Sequence, residues 1–222
     1  MRSPYHHRID PRARPRALQF PRREGRTSVK PRYLIVILGS AGSLRPLVEI
    51  VRQLPPNLDA AVVVLIHRGA RSKSYLSAIL SRAGRLSAAL AVDREELERG
   101  RIYVAPAGDR HTVVEGRTVR LVAGPKVRFL RPAGDPLLYS AAVAFGPRAV
   151  AVILSGMGQD GEAGAAAIKR AGGTVLVQSI SEAAYPSMPR YAMAVTEPDA
   201  CLATAEIASR LAALGAPVAS AA

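Results

Sequence analysis

The 222-residue sequence contains a single cysteine, Cys201, and no tryptophan. One thiol excludes an internal disulfide framework and a zinc site built from several thiolates of one chain. The longest apolar runs, such as residues 60–66, are far shorter than the roughly 20 residues of a membrane-spanning helix. The absence of a Gly-X-Y period and of sustained heptads excludes collagen-like and coiled-coil proteins. A reduced, soluble, cytoplasmic protein without membrane insertion is the simplest expectation.

Acidic residues are scarce: 17 stand against 31 basic ones, which gives a net charge of +14. Ten of the basic residues, but only Asp10 and Glu24 among the acidic ones, lie in residues 1–32. This stretch is also rich in proline, which breaks helices, and poor in apolar residues. It is predicted to be a disordered tail. The tail is either an electrostatic arm, a solvated extension or the product of a misplaced start codon, and aromatic residues at 5% argue against a nucleic-acid partner.

After the tail, apolar segments that are typical of buried strands alternate with helical segments. Apolar runs predict strands at residues 33–38, 60–66, 102–105, 149–154 and 174–177. Spacing and stop signals predict helices at residues 44–54, 75–83, 136–145, 162–171 and 203–214. Residues 111–115 and 118–122 flank Gly116 and predict one β-hairpin. The predicted fold is a doubly wound, three-layer α/β domain at residues 33–215, with a mostly parallel sheet and a flexible C-terminus at residues 216–222.

Three polar residues follow apolar strands at what is predicted to be one edge of the sheet: Ser40, His67 and Asp160. A serine hydroxyl needs an imidazole to accept its proton, and the imidazole needs a carboxylate to orient it, so this set suits a hydrolytic triad. The helix after Ser40 would point free N–H groups at a developing oxyanion. Each residue also has a plainer interpretation. The serine loop could bind phosphate or only turn the chain, His67 could cap a strand, and Asp160 could form a turn or cap a helix.

Competing motifs are missing from the sequence. The G-x-S-x-G elbow would need serine at position 41, where Ala41 stands. Neither a G-x-G-x-x-G after the first strand nor a P-loop is present. The histidines form no clustered ligand set, so no metal site is expected, and no cofactor is implied.

Several segments resemble the catalytic domain of CheB-type chemotaxis methylesterases. They are VILGSAGSL at 36–44, VLIH at 64–67, YVAPAGDRH at 103–111, LRP at 130–132 and LSGMGQDG at 154–161. AGG at 171–173 and SMP at 187–189 continue the match in order, so that it covers about residues 33–210. The resemblance implies a Ser-His-Asp hydrolase that demethylates glutamate methyl esters on chemoreceptors, and some members also deamidate glutamines. By position, Ser40 matches the nucleophile, His67 the base and Asp160 the orienting acid.

The same resemblance suggests further site residues. Backbone N–H groups near Ala41, Met157 and Gly158 match the oxyanion donors, while the Met157 side chain is more typical of packing. His111 matches a residue that lines the cleft, with a structural hydrogen bond as the equal alternative. Arg131 matches an arginine at the cleft mouth, with a solvated loop charge as the alternative.

The sequence departs from the family pattern at three places. Ser43 stands where the family usually has glycine and Ile66 where it has glutamine. Gln178 is followed by Ser179 and Ile180, where the family often has an acidic pair. Residues 1–32 are also too short to be the receiver domain that members commonly carry. We therefore expect a stand-alone esterase domain that acts on chemoreceptors or related signalling proteins. A catalytically weak or inactive CheB-like interaction module in a signalling complex is the alternative.

Overall fold

The computed structural model describes residues 29–69 and 75–214, so most of the predicted N-terminal tail and all of the predicted C-terminal segment lie outside it. The strands are β1 (Tyr33–Gly39), β2 (Ala60–Ile66), β3 (Ser87–Leu90), β4 (Glu95–Glu96), β5 (Arg101–Val104), β6 (His111–Glu115), β7 (Thr118–Val122), β8 (Ala149–Ile153), β9 (Thr174–Gln178) and β10 (Ala200–Leu202). The helices are α1 (Leu44–Gln53), α2 (Leu76–Ala83), α3 (Gly134–Phe145), α4 (Glu162–Arg170), α5 (Ser187–Thr196) and α6 (Thr204–Leu214).

Seven of these strands form one parallel sheet in the order β10-β9-β8-β1-β2-β5-β3. The three central strands β8, β1 and β2 are almost wholly apolar and buried, as expected for strands that are covered on both faces. Strands β4, β7 and β6 form a small antiparallel sheet, in which β6 and β7 are the predicted hairpin. The predicted doubly wound α/β fold is confirmed.

Helices cover both faces of the large sheet. One face packs against α1, α2 and α6 through residues such as Leu47, Leu80 and Leu211. The other face packs against α3, α4 and α5, with Leu138, Ile168 and Met188 among the contacts, and the small sheet joins this side. These two apolar clusters hold the strand ends in a rigid frame, on which polar residues are displayed.

Four elements were not predicted: β3, β4, α5 and β10. Strand β3 is rich in serine and alanine, and β4 and β10 have two and three residues, so none of them carries an apolar run. Helix α5 contains Pro189 and follows Pro186, which are stop signals when they are read from sequence alone. Pro189 falls in the first turn of the helix, where a missing N–H costs nothing.

Residues 29–32 contact the folded domain. The Val29 carbonyl accepts a hydrogen bond from the Arg99 N–H at 3.0 Å, and the Pro31 carbonyl accepts one from Arg117 Nη1 at 2.5 Å. The Arg32 N–H donates to Asp59 Oδ1 at 3.4 Å. The last four residues of the predicted tail therefore belong with the domain in packing terms.

Two truncations should differ in stability. We expect deletion of residues 1–28, which are proline-broken and rich in charge, to leave the melting temperature unchanged. Deletion of residues 1–32 also removes the contacts to Arg99 and Arg117, so it should lower the free energy of unfolding by about 1–2 kcal/mol. Differential scanning calorimetry of the two truncated proteins beside the full chain measures this. Equal melting temperatures for both truncations would contradict it.

Candidate active site

The candidate site lies at the carboxyl ends of β8, β1 and β2, where the strand order turns back on itself. The chain runs from β1 to β2 on one side of this point and from β8 to β9 on the other, and open parallel sheets bind their ligands at such a position. In the register of β1 and β2, Gly39 pairs with Ile66, and the His67 N–H donates to the Gly39 carbonyl at 3.0 Å. Ser40 and His67 therefore leave adjacent strands side by side.

His67 is paired with Asp160, which reaches it from the loop after β8. His67 Nε2 lies 2.7 Å from Asp160 Oδ2, and the two side chains are 8% and 1% exposed. Because an ionised carboxylate only accepts, Nε2 carries the proton and Nδ1 carries the lone pair. Nδ1 makes no hydrogen bond among residues 29–69 and 75–214. The ring is thus held in a tautomer that can accept a proton at Nδ1.

Ser40 is fixed by its backbone, and its hydroxyl is unbonded. The Ser40 N–H donates to the Ser155 carbonyl at 3.0 Å, and Ser43 Oγ donates to the Ser40 carbonyl at 2.6 Å. In the described part of the chain the Ser40 hydroxyl has no partner, so no Ser40–His67 hydrogen bond is formed. Such bonds are often long without substrate and tighten in the complex.

Asp160 is held by the N-terminus of α3. Its Oδ2 accepts the Gly134 N–H at 2.5 Å and its Oδ1 accepts the Asp135 N–H at 3.1 Å, in addition to His67. These N–H groups have no partner within their own helix, and they favour negative charge. A Cβ at Gly134 or Gly161 would overlap the Leu38 side chain, so glycine at both positions lets the two helix starts close over the end of β1.

Asp135 was not predicted, although it lies at the centre of this arrangement. Its Oδ1 accepts the Gly161 N–H at 3.1 Å and the Gly164 N–H at 2.8 Å, both at the start of α4. Burial raises the pKa of the Asp135 carboxyl, and the charge of Asp160 adds to this. The only sequence signal was an aspartate directly before the predicted helix at residues 136–145, and this signal does not name its partners.

The three predicted oxyanion donors have backbone N–H groups that are free in the described part of the chain. The N–H groups of Ala41, Met157 and Gly158 make no hydrogen bond within residues 29–69 and 75–214. Gly158 adopts φ +88°, and the Met157 side chain is 63% exposed rather than packed. The donors therefore remain available to a bound carbonyl oxygen.

His111 and Arg131 both hold the segment that leads to α3. His111 is 4% exposed, its Nε2 donates to the Pro125 carbonyl at 2.8 Å and its Nδ1 accepts the Ala133 N–H at 3.2 Å. Arg131 Nη1 donates to the Gly124 carbonyl at 2.8 Å. The structural alternative for His111 fits this geometry. Substrate contact by either residue stays a prediction, and for His111 both ring nitrogens are already used.

Two residues that depart from the family pattern, Ser43 and Ile66, lie beneath the site, as does Gln178, which precedes the third departure. Ser43 is fully buried, and its hydroxyl supports the Ser40 carbonyl. Gln178 Oε1 accepts the Ser155 N–H at 2.8 Å, and Ser155 Oγ donates to the Ala41 carbonyl at 2.8 Å. Ile66 packs against the apolar core under α1. Ser43 and Gln178 thus orient the Ser40 loop, and none of the three departures replaces a residue of the predicted triad.

A strained two-residue turn is tied to the Asp160 loop. Val127 and Leu130 exchange backbone hydrogen bonds at 3.1 and 2.9 Å, and the residues between them, Arg128 and Phe129, adopt φ +49° and +65°. Arg128 bonds Gln159 and Glu162 and lies 3.6 Å from Asp135 Oδ2. Phe129 is 93% exposed.

Phe129→Gly should stabilise the protein. A left-handed conformation costs an ordinary residue about 1–2 kcal/mol, and part of this gain is lost to the greater freedom of glycine in the unfolded chain. Since Phe129 buries almost no area, we expect the free energy of unfolding to rise by about 0.5–1 kcal/mol in urea denaturation. Val143→Gly removes an equally exposed apolar side chain, 89% exposed, from the interior of helix α3 and should destabilise instead. A fall in both variants would contradict the strain at Phe129.

Comparison with known proteins identifies the family of this chain. Residues 35–211 match the family model described as CheB methylesterase. The chain belongs to the CheB methylesterase family. In the solved structures, the crystal structure of the Thermotoga maritima CheB methylesterase catalytic domain superposes with a TM-score of 0.78 at 33% sequence identity, covering 82% of this chain and 98% of that one.

Curated relatives also match most of this chain. A relative from Anaeromyxobacter dehalogenans, named protein-glutamate methylesterase/protein-glutamine glutaminase 3, is 39% identical over 181 residues, which are 81% of this chain and 53% of that protein. A putative protein-glutamate methylesterase/protein-glutamine glutaminase from Leptospira interrogans is 32% identical over 79% of this chain and 92% of its own length. This chain thus spans about half the length of its first curated relatives.

Residues 29–69 and 75–214 contain neither a membrane-spanning helix nor a metal-binding cluster. No helix of that part is both long and apolar enough to cross a bilayer. The same part of the chain holds no group of three or more His, Cys, Asp or Glu side chains arranged to bind a metal ion.

Proposed function

We propose that this chain is a serine hydrolase that demethylates glutamate methyl esters on proteins, with Ser40, His67 and Asp160 as a catalytic triad. The observation that carries the proposal is the 2.7 Å hydrogen bond between His67 Nε2 and Asp160 Oδ2. This bond leaves the Nδ1 lone pair of His67 able to accept a proton, and His67 and Ser40 follow adjacent strands. The names of the curated relatives support the same reaction class, and for some of them also glutamine deamidation.

The reaction needs two steps that share one base. Nδ1 of His67 accepts the Ser40 proton while Oγ attacks the ester carbonyl, and Asp160 stabilises the imidazolium that forms. N–H groups from Ala41, Met157 or Gly158 bind the oxyanion. The intermediate collapses, methanol leaves with the proton from His67, and an acyl-enzyme remains. Water then attacks, with His67 again as base, and free glutamate is restored.

Methyl-accepting chemoreceptors or related signalling proteins are the proposed substrates, in the cytoplasm. The basic excess of the chain suits an acidic partner surface, since opposite charge speeds encounter. We propose residues 33–215 as the domain, and residues 29–32 make further contacts with it.

A fluorophosphonate probe and a methylated receptor fragment test the proposal together. We expect probe attachment at Ser40 by peptide mass spectrometry, and release of methanol from the fragment. Ser209→Ala, on the exposed side of α6, is the matched control and should react as the wild type does. Absence of both labelling and methanol release would reject the esterase and leave the non-catalytic interaction module.

A further inference from the structure

Two buried carboxylates cap each other's helices across the candidate site. Asp160 precedes α4 and accepts N–H groups from the start of α3, whereas Asp135 lies in α3 and accepts N–H groups from the start of α4. Each aspartate therefore needs the helix of the other to be in place. This exchange fixes the loop that presents Asp160 to His67, and it places a second carboxyl group directly behind that loop.

We propose that Asp135 is a positioning residue for His67: acting through Asp160, it fixes the loop geometry and increases the proton affinity of the imidazole. This inference rests on the proposed function for its kinetic consequence. Burial and the neighbouring Asp160 charge raise the pKa of Asp135, while its hydrogen bonds to Gly164 and Gly161 and the cation of Arg128 act in the opposite direction.

Among the described residues, Asp160 and Arg128 are the charged groups that act on Asp135. Asp160 lies on the loop before α4, Arg128 Nε lies 3.6 Å from Asp135 Oδ2, and Glu162 at the start of α4 bonds Arg128. Among the ion pairs of the described residues, His67 contacts this arrangement only through its bond to Asp160 Oδ2. Asp135 therefore contributes negative charge on one side of the His67–Asp160 pair, and Arg128 contributes positive charge on the same side. Removal of either should change the protonation of His67, in opposite directions.

Asp135→Asn separates charge from hydrogen bonding. The two backbone donors both bond Oδ1, so an asparagine oxygen can accept both while its NH₂ group takes the place of Oδ2. A raised carboxyl pKa means that stability is present at low pH and lost as pH rises through the folded pKa. Asparagine cannot ionise, so the variant escapes this loss, and we expect its melting temperature at pH 7 to stay within a few degrees of the wild type.

The test is a pH titration of the His67 imidazole by NMR in the full chain without substrate, with the signal assigned from His67→Gln. In Asp135→Asn we expect the titration midpoint to fall by about 0.5–1 pH unit, since a nearby negative charge is lost. In Arg128→Gln the midpoint should rise. Asp199→Asn is the matched control, because Asp199 also accepts a backbone N–H, from Val175, and faces a cation, Lys169, but at the opposite edge of the sheet. It should leave the midpoint unchanged.

Ester hydrolysis supplies the second readout. In Asp135→Asn the plateau kcat should fall about 2–10-fold because the base is weaker, and the rise of kcat should move to lower pH. A parallel loss of rate at every pH, with an unchanged NMR midpoint, would overturn the inference and leave a structural role. If Asp135→Asn does not fold, an unchanged midpoint in Arg128→Gln overturns it. Midpoint shifts in a protein that hydrolyses no ester would keep this inference and reject the proposed function.

Discussion

Ser40→Ala and His67→Ala should each lower kcat for ester hydrolysis on the order of 10⁴-fold or more, and the double variant should lose little beyond either one. The reason is that nucleophile and base act as one unit: the hydroxyl is a weak nucleophile without the imidazole, and the imidazole has no task without the hydroxyl. The measurement is single-turnover methanol release from a methylated receptor fragment, over a pH range of about 6–9 that brackets the titration of a histidine base.

Stability should not explain the loss in Ser40→Ala. The Ser40 hydroxyl has no hydrogen bond in the described residues, so its removal should change the free energy of unfolding by less than about 0.5 kcal/mol. Ser43→Ala offers a contrast on the same loop, because that hydroxyl supports the Ser40 carbonyl at 2.6 Å. It should cost stability and only part of the rate. Multiplicative losses in the Ser40–His67 double variant would reject a shared mechanism.

The parallel core of the fold was predictable because it rests on local patterns. Strands β1, β2 and β8 are apolar runs ended by glycine or by polar residues, and short runs of this kind are typical of strands that are buried on both faces. The edge strands β3 and β10 were not predictable, because their short sequences, SAAL and ACL, become strands only by pairing with neighbours that are already ordered.

The residues of the candidate site also differ in whether they could be predicted from the sequence. Ser40, His67 and Asp160 each follow a strand or its loop, so topology alone brings them to one edge. Asp135 could not be found in this way, since the N–H groups it accepts lie 26 and 29 residues further along the chain. The role of His111 also depended on the fold, because its two partners, Pro125 and Ala133, belong to an irregular segment.

Asp160→Asn should lower kcat about 10⁴-fold, and should cost stability as well. Unlike Asp135, Asp160 uses both oxygens: Oδ2 accepts from His67 and Gly134, and Oδ1 accepts from Asp135. An amide offers only one acceptor atom. If its oxygen faces His67, its NH₂ group meets the Asp135 N–H, and a buried donor pair costs about 1–3 kcal/mol.

The other amide orientation places NH₂ against His67 and Gly134. His67 then has to accept at Nε2, which moves its proton to Nδ1 and removes the lone pair that Ser40 needs. Either orientation therefore fails, one through geometry and one through the tautomer. Calorimetry and single-turnover methanol release measure the two effects, with Asp109→Asn on an exposed neighbouring loop as the control of identical chemistry. A variant with full stability and a rate within about tenfold of the wild type would show that Asp160 neither orients His67 nor depends on the start of α3.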